Sequence, residues 1–405
     1  MKLSIEQMAN VDSEILKRVR ACPGVSRIEL ARELQIAPST VGNYVGRLIT
    51  EGFLVESEKM GNEGGRPPTA LRLDPDGGQF IGVDFEARNI MAMAVDFSDR
   101  PLKHAHRSIL ETDSVAQIIA KLEEAIVEVL PENPSRLLAI GVGVPGLVDP
   151  NQGIAIHYKY INNWRNVPLA GPLAERFGVP VYLENTIRSM TLAELWFGQG
   201  RGGKDWLCVG IRSGIGAGIV AGGQLQRGAD YRAGEIGRWR CPQSSQAVAR
   251  FFTSGDTPTE TELQEISSVR AVVKALERAR KETKKSVLSA HPQPLVFADV
   301  VRAAQQRDAL TTQVIGVAAE MLGWAVAQLV LALNPDRVIL AGPLTLLGDT
   351  LLDPLRKRAE KILVASGAEI PAILNSTMGE YSGALGAAAL AVHEWKPSRE
   401  AAHRK

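Results

Sequence analysis

The hydrophobic residues of the first 58 positions recur at helical spacing, with short breaks between the runs. This pattern predicts one helix over residues 5–20, a second that opens at Ser26, and a third that begins near Pro38 and ends at Gly52. Ser26 and Glu29 have the spacing of a capping box. The residues predicted to face inward are Ile28, Ala31 and Leu34 of the second helix and Val41, Val45 and Leu48 of the third.

The outward side of the predicted third helix carries polar side chains and one cation. Its members are Ser39, Thr40, Asn43, Tyr44 and Arg47. Hydroxyls near a helix N-terminus suit phosphates, an amide suits adenine, and a guanidinium suits guanine or the DNA backbone. The alternative is a small helical bundle whose polar face is simply solvated. The short turn between the two helices and the strand pair "GFLVESE…TALRL" that follows favour a winged helix-turn-helix.

The segment "EGGRPP" at residues 63–68 lies where the tip of the wing is predicted. Arg66, between glycine and proline, belongs to an extended and narrow element of the kind that enters an A·T-rich minor groove. A plain linker is the alternative interpretation, since this tripeptide also occurs in linkers. We therefore predict Arg66 as a DNA contact on the strength of its place in the wing.

From Gln79 onward, short apolar runs alternate with helical segments, which is typical of an α/β protein. The runs "FIGVDF", "LLAIGVGV", "VPVYL", "WLCVGI" and "RVILAG" are nearly unbroken, as buried strands are. We predict three regions: a winged helix-turn-helix domain with its linker over residues 1–74, a large α/β domain over 75–395, and a polar tail over 396–405.

Composition narrows the class of protein. The 405 residues are 45% hydrophobic and 22% charged, as in ordinary soluble proteins. The N-terminus lacks the apolar core of a signal peptide, and no run of about 18 apolar residues suggests a membrane span, so we expect a cytoplasmic protein without membrane contact. The net charge of +1 gives no general attraction to nucleic acid, so DNA binding would depend on local geometry, a dimer and low salt.

The large region resembles the ROK family (repressors, open reading frames and sugar kinases) over almost its whole length. The resemblance rests on "IGVDF", "GVGVPGLVD", "NNWRNVPLA", "VYLENTIRSMTLAELWFGQGRG", "SGIGAGIVAGGQLQRGADYRAGEIG" and "LNPDRVILAG", in this order. It implies two ribonuclease-H-like lobes of the actin/hexokinase type with a cleft between them. A helix-turn-helix in front of such a domain is characteristic of the family's repressor branch.

The parts that kinases of this family need are mostly replaced here. Their first phosphate turn is Asp-x-Gly-Gly-Thr, whereas this chain keeps Asp84 but has Glu86, Ala87 and Arg88 at the other positions. The catalytic base of the family corresponds to Thr186, which cannot accept a proton at neutral pH, and loss of a general base costs about 10²–10⁴-fold in rate. The second turn, residues 213–216, survives. We therefore predict that the protein is not an enzyme, has no catalytic residue and does not bind ATP. The alternative is an active ATP-dependent sugar kinase.

The family's structural zinc site is also incomplete. Its histidine position is occupied by Arg238, and only Cys241 remains of its cysteine-rich loop. Because one thiolate cannot hold a tetrahedral zinc ion, we predict no metal and no other cofactor.

The effector site is predicted partly from the family's sugar-contacting positions and partly from neighbouring polar residues. Its members are Gly146, His157, Tyr160, Asn185, Arg188, Glu235 and Arg238. Two of them, Arg188 and Arg238, are cations, and a guanidinium offers bidentate donors to an anion. One hypothesis is therefore an anionic effector, such as a sugar acid or sugar phosphate. The alternative is that these arginines form structural salt bridges.

Together these observations predict a transcriptional regulator of carbohydrate genes, and a repressor in particular. Operator DNA, a small sugar-like effector and further copies of the chain, in a homodimer or tetramer, are its expected partners. The two half-sites of an operator lie about 34 Å or a multiple of it apart. A small motion of the two DNA-binding domains of a dimer would therefore stop them from binding both half-sites at once. Effector and DNA affinities would then be reciprocally coupled. Control by a protein partner is a further alternative.

Overall fold

The structure is a computed structural model that describes residues 5–58, 69–241, 245–252 and 261–397. The helices are α1 (Ile5–Ala21), α2 (Arg27–Leu34), α3 (Pro38–Thr50), α4 (Val115–Val129), α5 (Ala170–Phe177), α6 (Thr186–Phe197), α7 (Ser245–Phe252), α8 (Gln264–Ser267), α9 (Val269–Ala279), α10 (Phe297–Gln305), α11 (Ala309–Leu333), α12 (Asp349–Ala365) and α13 (Ser382–Glu394). The strands are β1 (Leu54–Glu58), β2 (Thr69–Leu73), β3 (Gln79–Phe85), β4 (Asn89–Asp96), β5 (Pro101–Ser108), β6 (Leu137–Val144), β7 (Leu147–Asp149), β8 (Ile154–His157), β9 (Arg165–Pro168), β10 (Val181–Asn185), β11 (Trp206–Ile211), β12 (Ile215–Ala221), β13 (Gln224–Gln226), β14 (Arg240–Cys241), β15 (Thr261–Glu262), β16 (Arg337–Ala341) and β17 (Ala372–Asn375).

The N-terminal domain is a winged helix-turn-helix, as predicted. Helix α2 begins with the predicted capping box, in which Ser26 accepts a hydrogen bond from the Glu29 backbone and Glu29 accepts one from the Ser26 backbone. Strands β1 and β2 pair antiparallel and form the wing. Ile28 was predicted to face inward, but its side chain is 72% exposed, because α2 packs through Leu30 and Ala31 instead.

The rest of the chain forms two lobes, each built on a five-stranded sheet of the same topology. In lobe 1 the strand order is β10-β6-β3-β4-β5, and in lobe 2 it is β13-β12-β11-β16-β17. In both sheets three consecutive strands pair antiparallel. A later strand, β6 or β16, pairs in parallel with the first of the three, and the last strand, β10 or β17, pairs in parallel with that later strand. The two lobes therefore repeat one ribonuclease-H-like unit, and the cleft lies where their first strands, β3 and β11, end.

Helix α13, at the end of the chain, returns to pack on the sheet of lobe 1. The backbone of α13 lies so close to the sheet and to α6 that glycines are required at the contacts, both in the sheet and in α13. A Cβ atom on Gly82 or Gly141 would lie 1.9 or 1.8 Å from the carbonyl oxygens of Ala384 and Ala387, and one on Gly386 would lie 1.7 Å from that of Ser189 in α6. Helices α6 and α13 are thus fixed against each other and against the sheet.

The winged domain is attached to lobe 1 by a buried junction. Four aromatic rings meet there: Phe53 from the winged domain, Phe80 and Phe97 from lobe 1, and Trp395 after α13, with ring centroids 5.1–5.9 Å apart. Beside them Arg20 of α1 donates to Asp99 at 2.8 Å and to the Phe97 carbonyl at 2.9 Å. Burial lowers the pKa of Arg20 and raises that of Asp99. The domains therefore share one continuous core.

Helix α11 is the longest helix among the described residues, and by length and composition it could cross a membrane. Its packing gives another explanation. Most of its apolar window, 67%, is buried inside the protein, where it forms the centre of the lobe 2 core.

Candidate functional site

The cleft between the lobes contains a cavity of about 190 Å³. Drug-sized ligands occupy pockets of about 300–1,000 Å³, so this cavity suits a molecule of monosaccharide size. Its walls come from the ends of β3, β6 and β11, from the loop after β8, from the start of α6 and from residues 233–238. Asp84, at the end of β3, lies beneath this cavity and is 1% exposed.

Asp84 is held by a cation from the opposite lobe. Arg212, directly after β11, donates to one carboxylate oxygen at 2.5 Å, and the Thr186 hydroxyl donates to the other at 2.9 Å. Burial raises the pKa of Asp84, although Arg212 and Thr186 oppose the shift. Burial works against the charge of Arg212 as well, but Asp84 and Glu86 outweigh it and raise its pKa. The guanidinium is therefore a permanent cation at the floor of the cleft.

The loop after Asp84 directs one carboxylate into the cleft. Glu86 pairs with the Arg212 guanidinium at 3.3 Å and accepts a hydrogen bond from the Ser213 backbone, also at 3.3 Å. Arg88 points away and pairs with Glu111 at the surface, while Ala87 packs against the lobe 1 core. A backbone donor of the surviving second turn is thus already occupied by the chain's own carboxylate. These residues do not fit a triphosphate.

Gly146 and Asn185 lie together in the wall of the cavity, and both have structural roles there. Gly146 has a φ of +75°, and a Cβ on it would lie 2.3 Å from the His157 carbonyl oxygen. Asn185 caps α6 by accepting from the backbone of Ile187 and Arg188, while its amide donates to the Gly146 carbonyl at 2.8 Å. One N–H of that amide remains to face a ligand.

His157 and Tyr160, two of the predicted effector contacts, line the cavity. The His157 ring lies 3.4 Å from the Trp164 carbonyl oxygen through Nδ1. The Tyr160 hydroxyl donates to Glu265 of lobe 2 at 3.3 Å. His157 therefore belongs to the inner wall, whereas Tyr160 spans from one lobe to the other.

Glu235 and Arg238 face the cavity from lobe 2. They pair with each other at 3.4 Å, and the Arg238 side chain is 55% exposed. Such a half-exposed pair is weak, so either member can exchange its partner for a ligand group.

Arg188 does not reach the cavity, so its prediction as an effector contact is wrong. Its side chain is 2% exposed and donates to Glu184 at 2.6 Å and to the Tyr231 carbonyl at 3.0 Å. Glu184 also binds Arg227 of lobe 2 at 2.6 Å. The i, i+4 spacing of Glu184 and Arg188 marks a buried structural pair, which was the alternative interpretation.

The position of the family's zinc site is filled by an apolar cluster. Cys241 is 4% exposed and lies in the lobe 2 core with Val248, Phe251 and Phe252. Burial raises the pKa of Cys241 to about 11, which makes the thiolate that zinc binds harder to form. Among the described residues no group of three metal-ligating side chains is found. The residues present do not fit zinc.

Helix α3 exposes part of the predicted DNA-contacting set. Ser39 and Asn43 are exposed, and Thr40 is half-buried. Tyr44 was predicted on the same side, but this is wrong: its ring is 8% exposed and belongs to the core. Tyr44 is three residues after Val41 and four before Leu48, which places it on the apolar stripe of the helix.

Arg47 is half-buried and held by carboxylates of its own domain. It pairs with Asp12 of α1 and, at 3.8 Å, with Glu51, while its guanidinium lies 5.1 Å from the centre of the Tyr44 ring. A contact with DNA would require it to leave these partners. Arg66 lies outside the described residues.

The sequence interpretation missed the residues that join the lobes. Arg212 pairs with Asp84, which lies 128 positions earlier in the sequence. Lys159 pairs with Glu262 and Glu265, which lie more than a hundred positions later. The one available signal was Arg212 itself, a charged residue between an apolar strand and a glycine-rich turn, where a buried partner is expected.

Comparison with known proteins agrees with both domains. The sequence profile described as "ROK family" matches residues 80–394, and that described as "Winged helix-turn-helix DNA-binding" matches residues 8–55. A putative xylose repressor of Caldicellulosiruptor sp. (strain Rt8B.4) is 29% identical over 350 residues, which are 85% of each chain. The DNA-binding transcriptional repressor Mlc of Escherichia coli K12 is 26% identical over 83% of this chain and 82% of its own. A glucokinase of Halalkalibacterium halodurans is 31% identical over 76% of this chain and 93% of its own.

Solved structures have the same architecture. A ROK family transcriptional regulator, described as a homolog of the Escherichia coli MLC protein, matches 95% of this chain and 96% of its own with a TM-score of 0.76 and 21% identity. A ROK family glucokinase from Streptomyces griseus, in complex with glucose and AMPPNP, matches 78% of this chain and 99% of its own with a TM-score of 0.67 and 26% identity. With a family profile that spans most of its length, the chain belongs to the ROK family and carries an N-terminal winged helix-turn-helix.

Proposed function

We propose that this protein is a DNA-binding transcriptional regulator of carbohydrate genes, and specifically a repressor, whose effector is a small sugar bound in the cleft. The observation that carries the proposal is α3, which presents Ser39 and Asn43 to solvent on a winged domain that shares one core with lobe 1. Relatives named xylose repressors and Mlc support the same function. A homodimer or tetramer in the cytoplasm would place two such helices on one operator.

We propose further that the cleft has no kinase activity. Phosphoryl transfer needs open phosphate donors and a base. Here Arg212 and Glu86 occupy the phosphate side, and Thr186 donates a hydrogen bond where a base would accept a proton. A sugar kinase with a DNA-binding domain remains the second candidate, because glucokinases also match this chain. Neither ATP nor zinc belongs to the proposal.

A neutral sugar is supported better than an anionic one. The anionic hypothesis relied on two cations, but Arg188 is outside the cavity and Arg238 is already paired with Glu235. Several relatives are named xylose repressors, and the cavity has the size for a monosaccharide. D-xylose is therefore the first effector to test.

The test is capture of genomic DNA fragments by the full-length protein, followed by competition with D-xylose, D-glucose, D-gluconate and glucose 6-phosphate. The proposal expects one or a few enriched fragments and their release by a neutral sugar. Enrichment of no fragment would refute DNA regulation, and release by the acidic sugars alone would refute the neutral effector. In a parallel assay, ATP turnover with a sugar that Asp84→Ala abolishes would establish the kinase instead.

A further inference from the structure

Three consecutive side chains in the loop after β8 cross the cleft from lobe 1 to lobe 2. The Tyr158 side chain hydrogen-bonds to Ser213, the Lys159 ammonium lies 2.7 Å from Glu265 and 3.5 Å from Glu262, and the Tyr160 hydroxyl donates to Glu265. We call residues 158–160 the strap. Lys159 and Glu262 line the cavity with side chains 42% and 29% exposed, so their contact lies at its entrance, whereas Tyr158 is buried and lies deeper.

Tyr160 is enclosed by cations from both lobes. The Lys159 ammonium lies 5.1 Å from the centre of its ring, and the Arg270 guanidinium of α9 lies 4.6 Å from the same centre. Tyr158 meets the ring edge-on at 5.4 Å. An aromatic face attracts a cation at such distances, so Tyr160 adds to the hold of the strap on lobe 2.

Two of the contacts that join the lobes at the cleft differ in strength. At the floor, Arg212 and Asp84 are nearly inaccessible, with side chains 10% and 1% exposed. At the mouth, Lys159 and Glu265 are 42% and 44% exposed. Removing one partner of a buried pair shifts a folding equilibrium by more than about a hundredfold, whereas a half-exposed pair shifts an equilibrium by about fivefold at most. The mouth therefore opens much more readily than the floor.

We propose that the strap is a gate over the cavity, closed by the ion pairs of Lys159 with Glu262 and Glu265, and that it opens by movement of this loop while the Arg212–Asp84 contact keeps the lobes together. That the molecule admitted is a small sugar rests on the proposed function. The gate itself depends only on contacts within the chain. The strap thus covers part of the entrance to the cavity, and ligand entry through that part is limited by the fraction of time that the strap is open.

Hydrogen–deuterium exchange on the full-length protein tests the gate without any ligand or DNA. The Tyr158 and Trp164 amides donate to the carbonyls of Trp164 and Ile161, so they exchange slowly while the strap is closed. In Lys159→Gln we expect these amides to exchange about fivefold faster, the most that the loss of a half-exposed pair supplies. Lys159→Arg keeps the cation and should keep the protection. Arg107→Gln removes two surface ion pairs of lobe 1 far from the cleft and is the matched control.

Salt and a second variant sharpen the test. At about 1 M salt, where the Debye length is about 3 Å, the strap of the unmodified protein should exchange as fast as in Lys159→Gln, whose own rate should stay constant. Glu265→Gln should repeat the effect of Lys159→Gln, and the double variant should add little. Unchanged exchange in Lys159→Gln, or an equal rise throughout the protein, would overturn the gate. Either result leaves the DNA-capture experiment unaffected, so the two proposals fail separately.

Discussion

The buried pair at the floor of the cleft yields the sharpest stability prediction. Arg212→Met replaces the guanidinium by an apolar side chain of similar length and leaves Asp84, which is 1% exposed, without its cation. Breaking a buried pair by removing one partner costs about 3–5 kcal/mol. That is a large part of the roughly 5–15 kcal/mol by which most proteins are stable. For lobes of this size the melting midpoint should fall by on the order of 10 °C.

The effect should shrink at low pH. Burial raises the pKa of Asp84 in the native protein, and removal of Arg212 takes away one of the groups that oppose this rise. The folded variant then binds a proton more readily than the unfolded chain, so its stability increases as the pH falls toward the ordinary aspartate pKa of about 3.9. Differential scanning calorimetry of both proteins between pH 7 and pH 5 measures this convergence.

Two further variants check the cause. Asp84→Asn combined with Arg212→Met removes both charges and should recover a substantial part of the lost stability, because the amide can still accept from Thr186. Arg107→Met removes a cation that pairs with two surface carboxylates and should cost less than about 1 kcal/mol. If Arg212→Met melts at the same temperature as Arg107→Met, the inter-lobe pair contributes nothing and the reasoning is refuted.

Other contacts give further expectations. Asn43→Ala should weaken binding of a captured operator by about 1–3 kcal/mol at one base position without lowering the melting temperature. Arg47→Ala should lower the melting temperature, because it removes the ion pair with Asp12. Gel shifts measure the change in operator binding, and calorimetry measures the change in melting temperature. Arg20→Met should cost about 3–5 kcal/mol and make α1 accessible to limited proteolysis, and intact α1 would count against the buried junction.

Local patterns in the sequence predicted the elements well. The capping box at Ser26 and the apolar stripe of α3 depend on neighbours three or four residues apart, and the structure confirms both. The buried strands were predictable for the same reason, since unbroken apolar runs need no distant partner to be recognised. The family resemblance then supplied the arrangement of the two lobes, which periodicity alone does not give.

Side-chain direction and long-range pairing were harder to predict. Tyr44 was assigned to the outward side because it stands next to Asn43, although its steps from Val41 and Leu48 place it on the buried stripe. Arg188 was treated as a free cation, although Glu184 stands one helical turn before it. Arg212 has its partners in the other lobe, and no local pattern indicates a pair between residues so distant in sequence.

The junction around Trp395 makes the attachment of the winged domain depend on a residue more than three hundred positions later in the chain. Phe53 packs against Trp395, which directly follows α13. A truncated product that ends before residue 382 would lack this contact, so its winged domain would be held less firmly on lobe 1. Premature termination would yield a poorly anchored fragment rather than a constitutively active regulator.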